Sequence, residues 1–248
     1  MRRFFLWFSL SLISLAITTG CGGKASTSDG SSPIDLTKVD PKTAQAIEQI
    51  QALGGNVEID VKQAPPAISV TIRGSRLKNA DLAALANLAN LQSLVVESTN
   101  ISDPGTEHLK GLTNLRRLNL NETFVTNAGL KNIASLTQLQ ELKLGRTRIT
   151  DAGLEHLTGL TQLKKLNLAQ NTLTDAGVKH LTVLKELQQL QLWDTQISNA
   201  SVESFKELTK LQELYIVKTN VTDDGAKQLK AALPDLKIYR GLQKRKPE

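Results

Sequence analysis

The chain contains very little cysteine, methionine or aromatic residue. Its 248 residues include one cysteine and one methionine, and only 4% are aromatic. A lone cysteine cannot form an internal disulfide, which excludes a disulfide-stapled fold. The hydrophobic fraction is nevertheless 40%, ample for one core. Aliphatic side chains must therefore do the packing, and each aromatic residue within the folded part is worth locating.

Several catalytic motifs are also absent. The sequence has no Walker loop, no His-Glu-x-x-His and no glycine fingerprint for dinucleotides, and no cysteine is left over as a nucleophile. The histidines His108, His156 and His180 occupy the same position of the repeat. They are not accompanied by the carboxylate or thiolate ligands that usually complete a metal site. We therefore expect no enzyme activity, no cofactor and no metal, and interpret these histidines as solvated surface residues.

No apolar run is long enough for a typical membrane-spanning helix, which needs about 20 residues. The longest, residues 4–17, follows Arg2-Arg3 and precedes small residues and Cys21. A basic start, a short apolar segment and a small-residue boundary are typical of a secretory signal. An ordinary signal peptide with an incidental Cys21 and an uncleaved membrane anchor are the alternatives.

The segment Thr18-Thr19-Gly20-Cys21 resembles the lipobox of bacterial lipoproteins, although Thr18 stands where Leu is usual. The resemblance implies that residues 1–20 are a signal peptide and that Cys21 is lipidated, anchoring the protein in the cell envelope. In Gram-negative lipoprotein sorting, an Asp directly after the lipidated cysteine is the retention signal. This chain has Gly22 at that position, and the departure favours the outer membrane. Residues 21–40 are rich in Gly and Ser and predict a flexible linker.

The dominant feature of the chain is a repeat of 24 residues without insertion or deletion. Leu-x-x-Leu-x-Leu segments begin at Leu91, Leu115, Leu139, Leu163, Leu187 and Leu211, after a degenerate copy at Ala67. In each copy the alternating leucines predict a short strand with one buried face, and a Thr-Asp-type signal then predicts the start of a short helix. A fixed period of this length indicates a stacked solenoid.

Three positions of the repeat have predicted structural roles. Polar residues after each strand, such as Thr147, are expected to form a column that satisfies backbone groups at the turn. Recurrent glycines in the helices predict close packing between neighbouring repeats. Ser201 and Asp81 interrupt the glycine column, so the first and sixth repeats are expected to pack slightly differently.

The pattern resembles the leucine-rich repeat family, over residues 67–234. The resemblance implies an α/β horseshoe with parallel strands on the concave face and short helices on the convex face. The repeats are also similar to the cysteine-containing subclass of leucine-rich repeats found in F-box substrate receptors. This chain departs from that subclass, because Thr replaces the Cys and its repeat period is shorter. Residues 41–66 predict an N-terminal cap of helix and strand, and residues 235–248 predict a C-terminal cap strand and a basic tail.

The strand register also predicts which side chains line the concave face. Trp193 and Tyr215 fall on adjacent strands near Val217 and predict a binding patch, because exposed aromatic residues concentrate binding energy. The alternatives are that the last repeats tolerate large residues near the cap, or that the C-terminal tail folds over the aromatic residues. The middle repeats add a mild basic stripe, although glutamates lie close by: Arg117, Lys143, Arg146 and Lys165.

The sequence therefore predicts a membrane-tethered module that binds a protein or peptide through its concave face. A structural envelope protein that binds polysaccharide or peptidoglycan is the alternative, and an enzyme subunit is less favoured. The formal charge is +6, and loss of Arg2 and Arg3 with the signal peptide takes it to +4. We expect no nucleic-acid partner for an exported protein.

Overall fold

A computed structural model describes residues 25–27, 39–60, 62, 65–74 and 76–241. The predicted signal peptide, Cys21 and the basic residues 244–246 lie outside these ranges. The described residues contain no helix long and apolar enough to cross a membrane.

Ten strands form one open sheet in which each strand lies beside its neighbour in sequence. The strands are β1 (Ala25–Thr27), β2 (Asn56–Asp60), β3 (Ala67–Thr71), β4 (Leu91–Val95), β5 (Arg117–Asn119), β6 (Glu141–Lys143), β7 (Lys165–Asn167), β8 (Gln189–Gln191), β9 (Glu213–Tyr215) and β10 (Lys237–Tyr239). The pair β2 and β3 is antiparallel, and all other neighbouring pairs are parallel. The predicted α/β solenoid is confirmed.

Short helices connect the strands on the opposite side of the solenoid. They are α1 (Pro41–Ala52), α2 (Asp103–Glu107), α3 (Asn127–Ile133), α4 (Asp151–Leu154), α5 (Asp175–Val178), α6 (Val202–Lys206) and α7 (Asp223–Ala232). Segments of 3-10 helix cover Asn79–Asn87, Glu155–Leu157, Lys179–Val183 and Asn199–Ser201. Two of them stand where Asp81 and Ser201 replace the repeat glycine, so the predicted difference in those repeats is confirmed.

The linker prediction for residues 21–40 is wrong at three positions. Residues Ala25–Thr27 form β1, which pairs in parallel with β2 from Ala25 opposite Val57 to Thr27 opposite Ile59. A three-residue strand has too little pattern to be recognised from sequence, and the open edge of β2 supplies the backbone groups that it pairs with. Residues 28–38, the middle of the predicted linker, lie outside the described ranges.

Each repeat buries its leucines against the equivalent leucines of the next repeat. The central strand leucines are in register and at most 1% exposed: Leu118, Leu142, Leu166, Leu190 and Leu214. Because a repeat covers its neighbours only, the core is one continuous column along the solenoid. Helix α1 closes the N-terminal end with Ala46, Ile47 and Ile50, which are fully buried.

The polar column after the strands satisfies backbone carbonyls, as predicted. The Thr147 hydroxyl donates to the carbonyl of Leu144 at 2.7 Å, and Thr99, Thr123, Thr195 and Thr219 repeat this bond. Asn171 replaces threonine once and spans two repeats, because its amide donates to the carbonyls of both Leu168 and Leu144. This column therefore anchors each turn to its own strand.

A second column of Asp and Asn residues clamps each helix start to the one before it. The Asp151 carboxylate accepts the backbone N–H of Thr174 at 2.9 Å and the Thr174 hydroxyl at 2.5 Å. Asn127 makes the equivalent pair of bonds with Thr150. The repeat glycine lies directly beneath, since a Cβ at Gly177 would come within 2.3 Å of Asp151 Oδ1. The predicted close packing at these glycines is confirmed.

One residue per repeat adopts a left-handed backbone conformation just past the strand. The six non-glycine residues have φ between 53° and 58°: Ser98, Glu122, Arg146, Gln170, Asp194 and Lys218. This conformation costs roughly 1–2 kcal/mol for a residue with a side chain. The N–H of Arg146 donates to the carbonyl of Ala169 at 2.9 Å, and other members of the column make the same bond to the next repeat. The inter-repeat ladder thus continues beyond the strands.

Candidate functional site

The concave face consists of side chains that alternate with the buried leucines of the strands. Because the strands are in register, these side chains form columns across the sheet. One column contains Arg117, Glu141, Lys165, Gln189, Glu213 and Lys237. The next contains Asn119, Lys143, Asn167, Gln191, Tyr215 and Tyr239. Neighbouring strands are separated by about 4.8 Å, so each side chain contacts only its column neighbours and diagonal positions.

Tyr215 is part of a stacked pair that the sequence reasoning missed. Its ring lies 4.3 Å from the ring of Tyr239, with an angle of 9° between the two planes. Tyr239 lies opposite Tyr215 in β10. The spacing of 24 residues between the two tyrosines is the repeat period, so extending the register into the C-terminal strand was the signal that could have found Tyr239. The C-terminal strand therefore covers one face of Tyr215.

The hydroxyl end of Tyr215 is also occupied. It donates to Glu213 Oε2 at 3.0 Å, and Gln189 Nε2 donates to the same oxygen at 2.8 Å. Burial, followed by the hydrogen bond to Glu213, raises the pKa of Tyr215 above its ordinary value. Tyr215 is thus a neutral, partly buried residue whose position is held by neighbours on both sides.

Trp193 lies in the next column, beside Val217 and Ala169. Its backbone carbonyl accepts the N–H of Gln170 at 2.9 Å, and the N–H of Asp194 donates to Val217. Both Trp193 and Val217 are partly buried, whereas Ala169 is fully buried. Of the three residues Gly145, Ala169 and Trp193 in this column, only the tryptophan has a large side chain, and it is partly exposed to solvent.

The four predicted basic residues separate into two pairs. Lys143 contacts Glu141 at 3.1 Å, and Arg146 contacts Glu122 at 3.0 Å, so both cations are neutralised locally. The hydrogen bond from Ser98, followed by the charge of Arg146, lowers the pKa of Glu122 below its ordinary value. Arg117 and Lys165 are exposed and have no carboxylate within ion-pair distance among the described residues. They flank Glu141 on either side of the same column.

The carboxylates of the concave face are engaged by neighbouring side chains. Besides Glu141, Glu122 and Glu213, the Asp194 carboxylate accepts a hydrogen bond from Gln170 at 3.1 Å. The charges left for a partner on β5 and β7 are accordingly positive, and the partly exposed Trp193 lies two residues after the end of β8. A shallow hollow of about 20 Å³ between β6, β7 and β8 is the size of one water molecule. This surface suits a flat or extended partner rather than an enclosed small molecule.

The described residues contain no group of three or more His, Cys, Asp or Glu side chains placed to hold a metal ion. The predicted lipidation site, Cys21, lies outside the described ranges.

Comparison with known proteins agrees with this architecture. A family model described as a leucine-rich repeat region matches residues 69–244. Among solved structures, an internalin (InlF) from Listeria monocytogenes is similar, with a TM-score of 0.55 and 28% identity over 63% of this chain. The match spans 43% of the internalin F chain. Internalin C2 from the same organism shares the fold, with a TM-score of 0.52 and 23% identity, covering 66% of this chain and 84% of that one. No curated protein matches the sequence.

Proposed function

Because the chain belongs to the leucine-rich repeat family, we propose that it is a binding protein whose concave face takes a protein or peptide segment. The observation that carries this proposal is a concave face whose described carboxylates are engaged, while two cations have no carboxylate partner among the described residues and a partly exposed tryptophan lies nearby. Arg117 and Lys165 supply positive charge and have no carboxylate partner within the described ranges. Trp193 supplies an apolar surface just after the neighbouring strand β8, and tryptophan and arginine are among the residues enriched at binding hot spots.

The proposal assigns different roles to the predicted residues. The partner would be contacted directly by four residues: Trp193, Val217, Arg117 and Lys165. Lys143 and Arg146 would shape the surface through their pairs with Glu141 and Glu122. Tyr215 would support the site from its stacked position against Tyr239. The chain contributes no catalytic group in this proposal.

We further propose that the module is exported and anchored in the bacterial cell envelope through a lipid on Cys21, with the outer membrane as its location. The support is the signal-like N-terminus and the lipobox resemblance. Because β1 begins at Ala25, four residues after Cys21, an anchored chain would hold the sheet edge within about 14 Å of the lipid. The N-terminal edge would then face the membrane, and the aromatic end of the concave face would point away from it.

The concave-face proposal can be tested by site-specific photo-crosslinking in the native envelope. A photo-reactive residue at Gln191, which leaves Arg117, Lys165 and Trp193 intact, should crosslink one protein partner, whereas the same residue at the exposed position Thr161, outside the strand, should not. Trp193→Ala in the protein labelled at position 191 should reduce the crosslink at least about tenfold. Tyr215→Phe keeps the ring but loses the bond to Glu213, so it should change the yield less. Crosslinks to wall polymer alone would favour the polysaccharide alternative.

The anchor is tested separately. Cys21→Ser should release the protein from the membrane pellet into the soluble fraction after cell lysis, and mass spectrometry of the wild-type N-terminal peptide should show a diacylglyceryl-modified cysteine. Equal membrane association of both proteins would contradict lipid anchoring without affecting the concave-face proposal.

A further inference from the structure

A second exposed surface lies where the strands turn toward the helices. We call it the turn edge: residues 74, 76–78, 98–102, 122–126, 146–150, 170–174, 194–198 and 218–222. Phe124 lies on it with 44% of its surface exposed. In the described part of the chain, two large hydrophobic residues are exposed, Phe124 and Val183, and only Phe124 is aromatic.

The repeat does not need an apolar residue at this position. The equivalent residues of the other copies are all polar: Arg76, Asn100, Arg148, Thr172, Gln196 and Asn220. The buried positions on either side, Thr123 and Val125, complete the turn without help from the Phe124 ring. The ring is therefore an addition to the fold and not a part of its core.

Arg148 holds the ring in place from the next repeat. Its guanidinium carbon lies 4.8 Å from the centroid of the Phe124 ring, within the range of a cation–π contact. The backbones of both residues are fixed, because Phe124 N–H donates to Ile101 and Arg148 N–H donates to Val125. Arg148 is exposed and has no carboxylate within ion-pair distance among the described residues. An aromatic surface and an uncompensated cation are thus prearranged side by side.

The charge of the surrounding edge is polarised along the solenoid. The first four segments of the turn edge contain Arg76, Lys78, Arg146 and Arg148 against one acid, Glu122. The carboxylates of Asp81 and Asp103 border this half and accept hydrogen bonds from Lys78 and Thr126, so the cations remain in a small excess. The last three segments contain one acid, Asp194, and one base, Lys218. Glu122 is already paired with Arg146. The half of the edge that contains Phe124 is accordingly positive, and it is complementary to an acidic partner.

We propose that this half of the turn edge is a second docking surface, independent of the concave face, for an acidic polypeptide segment that carries an aromatic or aliphatic side chain. The apolar side chain of the partner packs on Phe124, and its carboxylates face Arg148 and Arg76. A carboxylate opposite Arg148 leaves the guanidinium in place over the ring, so the partner binds without rearranging the site.

The test uses fluorescence anisotropy on the soluble Cys21→Ser protein that lacks residues 1–20. The probe is a fluorescein-labelled peptide, Gly-Glu-Glu-Phe-Glu-Glu-Gly, titrated to millimolar protein. Two matched peptides replace Phe by Ser or every Glu by Lys. We expect the acidic Phe peptide to bind at least about tenfold more tightly than either matched peptide, with affinity that falls as salt rises.

The variants are taken from the repeat itself, so that they preserve the fold. Phe124→Thr copies the residue at position 172, and Arg148→Gln copies the residue at position 196. Each should weaken binding at least about tenfold, and Arg148→Gln should also reduce the salt dependence. Val183→Thr removes the other exposed apolar side chain, and Trp193→Ala alters the concave face. Both should bind within twofold of wild type.

The proposal is overturned if wild type does not bind the acidic Phe peptide, or if Phe124→Thr binds it as well as wild type does. Binding to phosphatidylglycerol vesicles that depends on Phe124, in place of peptide binding, would also overturn it in favour of a lipid surface. Loss of binding in Trp193→Ala alone would place the peptide on the concave face and would reject the second surface.

Discussion

The Asp175 carboxylate accepts a hydrogen bond from the Ser201 hydroxyl, and it also accepts hydrogen bonds from Ser198; both serines belong to the repeat after that of Asp175. Ser198 donates its backbone N–H to Oδ1 at 2.8 Å and its hydroxyl to Oδ2 at 2.6 Å, and Ser201 shares Oδ1. This relationship explains why a serine replaces the repeat glycine at position 201. A side chain that can donate to the carboxylate is tolerated where one that cannot would clash.

The ionised Asp175 carboxylate should stabilise the folded protein at neutral pH and should lose this effect as the pH becomes acidic. Burial alone would raise its pKa, but the hydrogen bonds from Ser198 and Ser201 outweigh burial and hold the pKa below its ordinary value. A lowered folded-state pKa means that the contribution is present above the unfolded pKa, near 3.9, and is lost as the pH falls through the folded value. Asp175→Asn should therefore narrow the stability difference between pH 7 and pH 3 in urea unfolding.

The matched comparison is Asp175→Ala. Asn127 and Asn199 fill the same position in other repeats, so Asp175→Asn should fold normally, whereas Asp175→Ala leaves three donors without an acceptor and should cost about 2 kcal/mol. If the free energy of unfolding changed equally with pH in wild type and Asp175→Asn, the Asp175 carboxylate would not be responsible for the loss of stability in acid.

Gly177→Ala should destabilise the solenoid by about 1–3 kcal/mol. Its Cβ would meet Asp151 Oδ1 at 2.3 Å and Leu154 Cδ1 at 3.1 Å, which forces the clamp apart. Gly177→Ser should cost less, because its hydroxyl donates to Asp151 as Ser201 does to Asp175. Gly159→Ala is the control, since no atom lies within 4 Å of its Cβ. Thermal unfolding measures all three, and an alanine no worse than the serine would contradict this account.

Asn171→Ala should be among the more damaging polar substitutions, at about 3 kcal/mol. The buried Asn171 amide donates to Leu144 and Leu168, and its oxygen accepts from Thr147 at 2.9 Å and from the N–H of Ile149 at 3.1 Å. Asn171→Thr restores only the bond within its own repeat and should cost about half as much. Chemical denaturation monitored by circular dichroism gives the free energy of unfolding of both variants. The account of Asn171 fails if Asn171→Thr is less stable than Asn171→Ala.

Strand β1 should be detectable in solution as backbone protection. Pairing with β2 predicts that amides within residues 25–27 exchange with deuterium at least about tenfold more slowly than the exposed turn amide of Gly159. Hydrogen-exchange mass spectrometry of the Cys21→Ser protein provides the measurement. Exchange of residues 25–27 at the rate of an unstructured peptide would restore the linker interpretation for the whole of residues 21–40.

The sequence determined the repeated part of this protein. An uninterrupted period of 24 residues assigns each leucine to the core, each intervening side chain to the concave face and each Thr-Asp pair to a helix start. The prediction succeeds because each repeat meets the same environment, so one local pattern is read many times. The polar column at Thr147 and the tight glycines followed from the same periodicity.

Only the tertiary structure decided what lies at the ends and what partners each side chain has. The stacking of Tyr239 on Tyr215 brings a capping strand into the predicted binding patch, and β1 joins the sheet from within a predicted linker. The same is true of the concave charges, where Lys143 is paired and Lys165 is not. These features depend on contacts between separate strands, and a local pattern of residue types does not encode which of several neighbours a side chain will choose.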